Sequence, residues 1–230
     1  MEKTIYSKEL IRKRSNEIIE ELKAVSVCGI QRFIKRLEIA PDDEEFLDIL
    51  AQGRLALILS NNGFSGINME PSKEGPDIMI ASERDTFYLE IKRRRSKEED
   101  YELAESGGPS WMRPDRDQNV ISLIADKQNQ LLEGEMNIKA IWSNTARAGY
   151  PEIEEACKWI SKEILENKGA YAKLSGVIFV QDEKIDLTLP DDIYLFINNQ
   201  ATRLLPEQLV GKLSSFCRRR YTIQQFLECP

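Results

Sequence analysis

Asp77, Glu90 and Lys92 are the residues of this 230-residue chain whose types and spacing could do chemistry. They lie in GPDIMIASERDTFYLEIKRRR, residues 75–95, where two short apolar runs flank a polar turn. Side chains alternate across a strand, so Tyr88, Glu90 and Lys92 share one face of the second run, and Phe87, Leu89 and Ile91 share the other. On the first run Asp77, Met79 and Ala81 share a face. With Glu83 and Arg84 as the tight turn, Asp77 falls opposite Glu90, and opposed residues of an antiparallel pair have Cβ atoms about 4.5–5.5 Å apart. Two carboxylates that close repel unless a cation lies between them. A hard ion such as Mg2+ prefers oxygen ligands and commonly takes one or two carboxylates, with water and phosphate completing its shell. Lys92, one pleat along, would bring an ammonium to the same place, where it can hold an attacking water and offset phosphate charge in a transition state.

The short strings themselves are common. Pro-Asp occurs at 41, 76, 114 and 190, and acid-x-Lys triplets include Glu21-Leu22-Lys23 and Glu166-Asn167-Lys168. Charged residues also blunt sheet edges, so the plain reading of such residues is a solvated hairpin. Only one pair joins a Pro-Asp at a strand start to a Glu-x-Lys in the next strand of a predicted hairpin, and that context carries the signal. Composition narrows the chemistry further, because the chain contains no histidine. Triads built on histidine, zinc sites with imidazole ligands and phosphodiesterases with a histidine base are excluded. Hydrolysis here has to run on carboxylates, lysine and a metal.

The elements that must position these residues follow from hydrophobic periodicity. Apolar positions Leu10, Ile11, Ile18, Ile19 and Leu22, then Phe33, Ile34 and Leu37, predict two helices over 7–37 with a break near Val27-Cys28-Gly29. APDDEEFLDILAQGRLALILSNNGF opens on proline and four acids, as a helix N-terminus prefers, and stops at Asn-Asn-Gly; its middle is apolar nearly all round, which predicts a core helix. Strands are expected at Phe64–Met69, Asp77–Ala81, Phe87–Lys92, Ile138–Ser143, Val177–Val180 and Ile193–Ile197, with helices at Gln118–Leu132 and Pro151–Leu165. Residues 96–116 form a long polar loop containing Trp111, and loops of that length are usually functional or disordered. This order predicts an α/β fold: a three-layer α/β/α domain at 41–200 with a mixed central sheet, an N-terminal helical extension at 1–40, and a helical tail at 201–230 packed on the core.

Residues 44–145 resemble the PD-(D/E)XK nucleases of the restriction endonuclease-like superfamily. EGPDIMI…FYLEIKRR is similar to the metal-binding signature, LAQGRLALILSNNGF to the first core helix, and ISLIADKQNQLL to the helix after the Glu-x-Lys strand. The resemblance implies that Asp77 and Glu90 hold Mg2+ (or Mn2+) with the backbone carbonyl of Ile91, and that Lys92 positions the attacking water. It also implies a glutamate on the first helix, where this chain has Gln52, with Glu45 a substitute two turns earlier. Gln130, or else Lys127, would reach the site from the later helix. Polar residues on a helix face are ordinarily just solvated, which is the competing reading for Gln52 and Gln130.

The partner expected from this is nucleic acid, as DNA. The net charge of −7 opposes it, yet basic residues cluster at Arg12-Lys13-Arg14, Lys92-Arg93-Arg94-Arg95 and Arg218-Arg219-Arg220, and local field outweighs the total. Arg93, Arg94 and Arg95 could grip phosphates. Trp111 could stack on a base, or anchor its loop. The basic N-terminal helices suit DNA, a homodimer or a partner protein. No apolar run reaches 18 residues, so no membrane span is expected. The charged N-terminus and four scattered cysteines, Cys28, Cys157, Cys217 and Cys229, suggest a cytoplasmic chain with free thiols. Two further readings remain open: a non-catalytic member of the same fold acting as a nucleic-acid-binding or assembly module, and a carboxylate-only nuclease of the RNase H-like or PIN kind, which gives Lys92 no role.

Overall fold

Among the described residues, seven strands form one mixed sheet whose spatial order follows the chain: β1 (Ile67–Met69), β2 (Ile78–Ala81), β3 (Thr86–Arg94), β4 (Met136–Ser143), β5 (Leu174–Gln181), β6 (Asp192–Ile197) and β7 (Arg219–Thr222). The computed structural model describes residues 8–72, 75–82, 85–94, 115–126, 128–143, 150–167, 169–181 and 192–227. The first three strands are antiparallel neighbours, β3, β4 and β5 run parallel, β5 and β6 antiparallel, and β6 and β7 parallel. Parallel pairs need a crossover connection. Helix α4 (Asp115–Ala125) lies between β3 and β4, and α5 (Tyr150–Glu166) between β4 and β5.

Strand alternation divides the core in two. Ile138, Ala140 and Trp142 of β4, with Ile178 and Val180 of β5, join α1 (Lys8–Ala24), α2 (Ile30–Ile39), α3 (Asp43–Asn61) and Leu213 of α6 (Glu207–Ser214). Ile141, Val177 and Phe179 point the other way, into a cluster with Val120 and Ile124 of α4 and Ile153, Cys157 and Ile160 of α5. Helices therefore cover both faces of the sheet, as a three-layer α/β/α arrangement requires.

Helix α3 organises the first face. Its N-cap Asp42 accepts a hydrogen bond from the Glu45 N–H at 2.7 Å, and Asp43, Glu44 and Glu45 occupy the first turn. Negative charge there complements the helix dipole. From Ile49 to Leu59 every residue is buried, so the helix threads the core. Gly29 lets α2 begin hard against β1: its φ is +81°, and a Cβ there would stand 2.0 Å from the Met69 carbonyl oxygen.

The structure departs from the sequence expectations at several places. The segment after residue 200 is more than a helical tail, because Arg219–Thr222 adds β7 beside β6, and Tyr221 and Ile223 enter the second core. The helix expected to reach Leu132 ends at Ala125, followed by a short 3-10 turn at Gln128–Gln130. The first strand begins at Ile67 rather than Phe64. Trp111, Arg95 and Lys127 lie outside the described residues. Cys28, Cys157 and Cys217 are free thiols; Cys229 falls outside the described residues. No helix among the described residues is long and apolar enough to cross a membrane.

Candidate active site

The hairpin register pairs Ile78 with Leu89, which brings Asp77, one residue before β2, beside Glu90 on β3. The Ile91 N–H donates to Asp77 Oδ2 at 2.7 Å, and the Gln52 amide Nε2 donates to Asp77 Oδ1 at 2.8 Å. Lys92 Nζ lies 2.7 Å from Glu90 Oε1. Asp77, Glu90, Ile91, Lys92 and Gln52 all line one groove of about 1460 Å³. Helix α2 contributes Arg32, Lys35, Arg36 and Ile39 to its wall, and the segment ending α4 contributes Leu123, Asp126 and Gln130. Gln130 stands exposed on that wall.

Gln52 does not offer its carbonyl oxygen to the carboxylate pair. That oxygen accepts from Arg36 Nη1 at 3.4 Å, and the NH2 group turns to Asp77. Arg36 also bonds the Glu70 carboxylate and comes within 3.9 Å of Glu45 Oε1. A relay thus runs from Glu70 through Arg36 and Gln52 to Asp77. Its far end is pinned by the backbone: the Glu70 N–H donates to the Asp77 carbonyl at 2.7 Å, and the Glu70 carbonyl accepts from Arg32 at 2.9 Å. Glu70 holds a φ of +51°, unusual for a residue with a side chain. Neither Arg36 nor Glu70 was singled out by the sequence reading. The spacing Arg32, Lys35, Arg36 on one helix face is the signal that points to Arg36.

Lys139 is a third functional residue that the sequence does not single out. It is fully buried on β4 in register with Glu90, and its ammonium donates to the Ile124 carbonyl at 2.8 Å and to the Asp126 carbonyl. A cation on the last carbonyls of a helix is favourable, and this one ties the end of α4 to the sheet at the groove wall.

The arginines after the Glu-x-Lys triplet have other partners. Arg93 points toward α3, where it bonds Asp48 at 2.7 Å and the Glu44 carboxylate. Arg94 points to the opposite face and bonds Glu152 of α5 at 2.6 Å. Both guanidinium groups are buried, engaged in the packing of helices on the sheet.

The carboxylate pair is electrostatically tense. Burial and then the neighbouring Glu90 push Asp77 up to about 7 from an ordinary 3.8, against the opposing pull of the Ile91 N–H, Lys92 and Arg36. The folded state therefore binds the Asp77 proton more tightly than the unfolded chain. The associated stability is full below pH 4 and is lost as pH rises through 7. For a half-buried group the loss is on the order of 2 kcal/mol, roughly 4–8 °C in Tm. Asp77→Asn is expected to abolish this fall in metal-free thermal melts between pH 5 and pH 8. A wild-type Tm that rises across that interval in parallel with the variant contradicts the assignment.

Two neighbouring carboxylates suit a hard divalent cation, and the raised proton affinity of Asp77 is what a cation would relieve. Among the described residues no group of three or more histidine, cysteine, aspartate or glutamate side chains is placed to hold a metal. Any ion there would therefore take most of its ligands from water and substrate. Compared with protein-family models, curated proteins and solved structures, the chain has no significant match.

Proposed function

We propose that the protein is a metal-dependent nuclease that hydrolyses phosphodiester bonds in DNA on a restriction endonuclease-like core. The observation carrying this reading is the meeting of Asp77 and Glu90 on neighbouring strands in a large groove, with the Lys92 ammonium on Glu90. Asp77, Glu90 and the Ile91 carbonyl would hold Mg2+ or Mn2+. Such an ion supplies Lewis acidity toward a phosphate oxygen and lowers the pKa of bound water. Lys92 orients the attacking water from the Glu90 side and balances charge that develops on the phosphate. Gln52 holds Asp77 in place through its NH2 group, so it acts as a positioning residue and adds no negative charge to the site.

The reading is tested by incubating the protein with plasmid and single-stranded DNA in Mg2+, Mn2+ or EDTA, beside Asp77→Ala. Cleavage is expected in the metal arms alone, and to vanish in the variant. Cleavage that persists in EDTA or in Asp77→Ala refutes it. The orientation of Gln52 favours one second reading, a nuclease fold retained as a nucleic-acid-binding or assembly module. Calorimetry separates the two: no uptake of Mn2+ by folded protein supports the second, and uptake of one ion or more supports the first.

A further inference from the structure

Arg32, Lys35, Arg36 and Ile39 recur at the three- and four-residue spacing that places side chains on one helix face. The opposite face of α2 is buried through Phe33 and Leu37. All four stripe residues line the groove that contains Asp77 and Glu90. Arg32 and Lys35 are exposed, and Ile39 is 68% exposed, an aliphatic side chain left at the end of a cationic row. Two of the three cations already hold oxygen acceptors of one residue, Glu70: its carboxylate on Arg36 and its carbonyl on Arg32. Arg93 and Arg94, which follow Lys92 along β3, are buried and bond Glu44, Asp48 and Glu152, so among the described residues α2 supplies the basic row on the groove wall.

We infer that this stripe is the track on which the sugar–phosphate backbone of a nucleic-acid strand lies as it passes the Asp77–Glu90 site. The Glu70 carboxylate stands in for a phosphate on Arg36 until the strand arrives, and Ile39 touches a sugar or base edge. The inference rests on the nuclease reading above and adds to it the surface that binds the substrate. Its distinctive consequence is a pair of opposite signs. Removing a stripe cation weakens binding and reduces its salt dependence, because fewer counterions are released. Removing the Glu70 charge strengthens binding, because a phosphate no longer competes with an internal carboxylate.

The test is fluorescence anisotropy of labelled single-stranded and duplex oligodeoxynucleotides in EDTA, where no turnover occurs, over a series of salt concentrations. Arg32→Gln/Lys35→Gln is expected to raise Kd about tenfold and to lower the slope of log K against log salt by about two. Lys35→Gln alone, an exposed and fold-neutral change, accounts for about one of those two. Glu70→Gln is expected to lower Kd several-fold, and Ile39→Ala to raise it with the slope unchanged. Wild-type binding with the same Kd and slope in the double variant overturns the stripe while leaving the nuclease reading standing. Wild-type protein that binds neither oligonucleotide at any salt concentration overturns both.

Discussion

Lys92→Ala is expected to lower metal-dependent DNA cleavage by about 100- to 1000-fold, the loss usual when one preorganised charged donor is taken from a transition state. The side chain is only 17% exposed and its ammonium sits on the Glu90 carboxylate, so its reach into the groove is fixed by a strand rather than a loop. Removal has two effects of opposite sign on metal binding. Glu90 loses a neighbouring positive charge that competes for its oxygens, which favours the metal. Asp77 loses one of the cations that hold its pKa down, so a proton competes more strongly for the same carboxylate. Mn2+ affinity is therefore expected to stay within about tenfold of wild type while turnover collapses. Single-turnover cleavage read beside Mn2+ calorimetry checks both halves. Full activity in Lys92→Ala removes the lysine from the mechanism, and a loss of Mn2+ binding equal to the loss of rate reduces its role to holding the ion.

The largest effect on stability is expected from Arg94→Met. Arg94 and Glu152 are both buried, at 6% and 7% side-chain exposure, and lie 2.6 Å apart. Breaking such a pair leaves a carboxylate in a dry interior, at a cost of about 3–5 kcal/mol. In a chain of this size that corresponds to roughly 2–4 °C of Tm for each kcal/mol. Replacing both partners together, Arg94→Met with Glu152→Leu, removes the stranded charge and is expected to recover most of the loss. Urea unfolding of wild type and the two variants decides the matter. An Arg94→Met protein as stable as wild type, with weakened DNA binding, would return Arg94 to the surface role that its place in a basic cluster suggests.

The contrast between Arg94 and Asp77 shows what was legible in the sequence. Asp77 and Glu90 are 13 positions apart along the chain, joined by one turn, so strand parity suffices to place them together. The pairing of Ile78 with Leu89 matches that derivation residue for residue. Arg93 and Arg94 follow the same parity, which sends them to opposite faces. Their partners, Glu44, Asp48 and Glu152, come from helices 45 to 58 residues away in sequence, and no local pattern reveals them. A run of arginines beside the carboxylate pair reads as a phosphate grip, yet here Arg93 and Arg94 bond Glu44 and Asp48 of α3 and Glu152 of α5.

Gln52 shows the same limit at finer scale. Its position is readable from the apolar run around it. The direction of its amide is set by Arg36, which reaches it from α2 and is itself bonded to Glu70 at the end of β1. Strand β7 was missed for a different reason. Arg218, Arg219 and Arg220 break the apolar alternation that marks a strand, and its pairing with β6 depends on an edge left open by residues far upstream. Lys139 was hidden inside an apolar strand, where a lone lysine gives no sign of the helix end it binds.

The strand order has a consequence for how the protein is made. Each strand lies beside the one that precedes it in the chain, so the sheet can grow by adding strands in the order in which they are synthesised. The antiparallel pairings of β1, β2 and β3 close short loops, which favours their early formation, whereas the parallel pairs wait on their crossovers. Asp77, Glu90 and Lys92, together with Gln52 and the whole of α2, lie within the first 94 residues. The carboxylate pair can therefore be assembled while the parallel half of the sheet is still emerging, and the far wall of the groove, tied down by Lys139, is added when β4 pairs with β3.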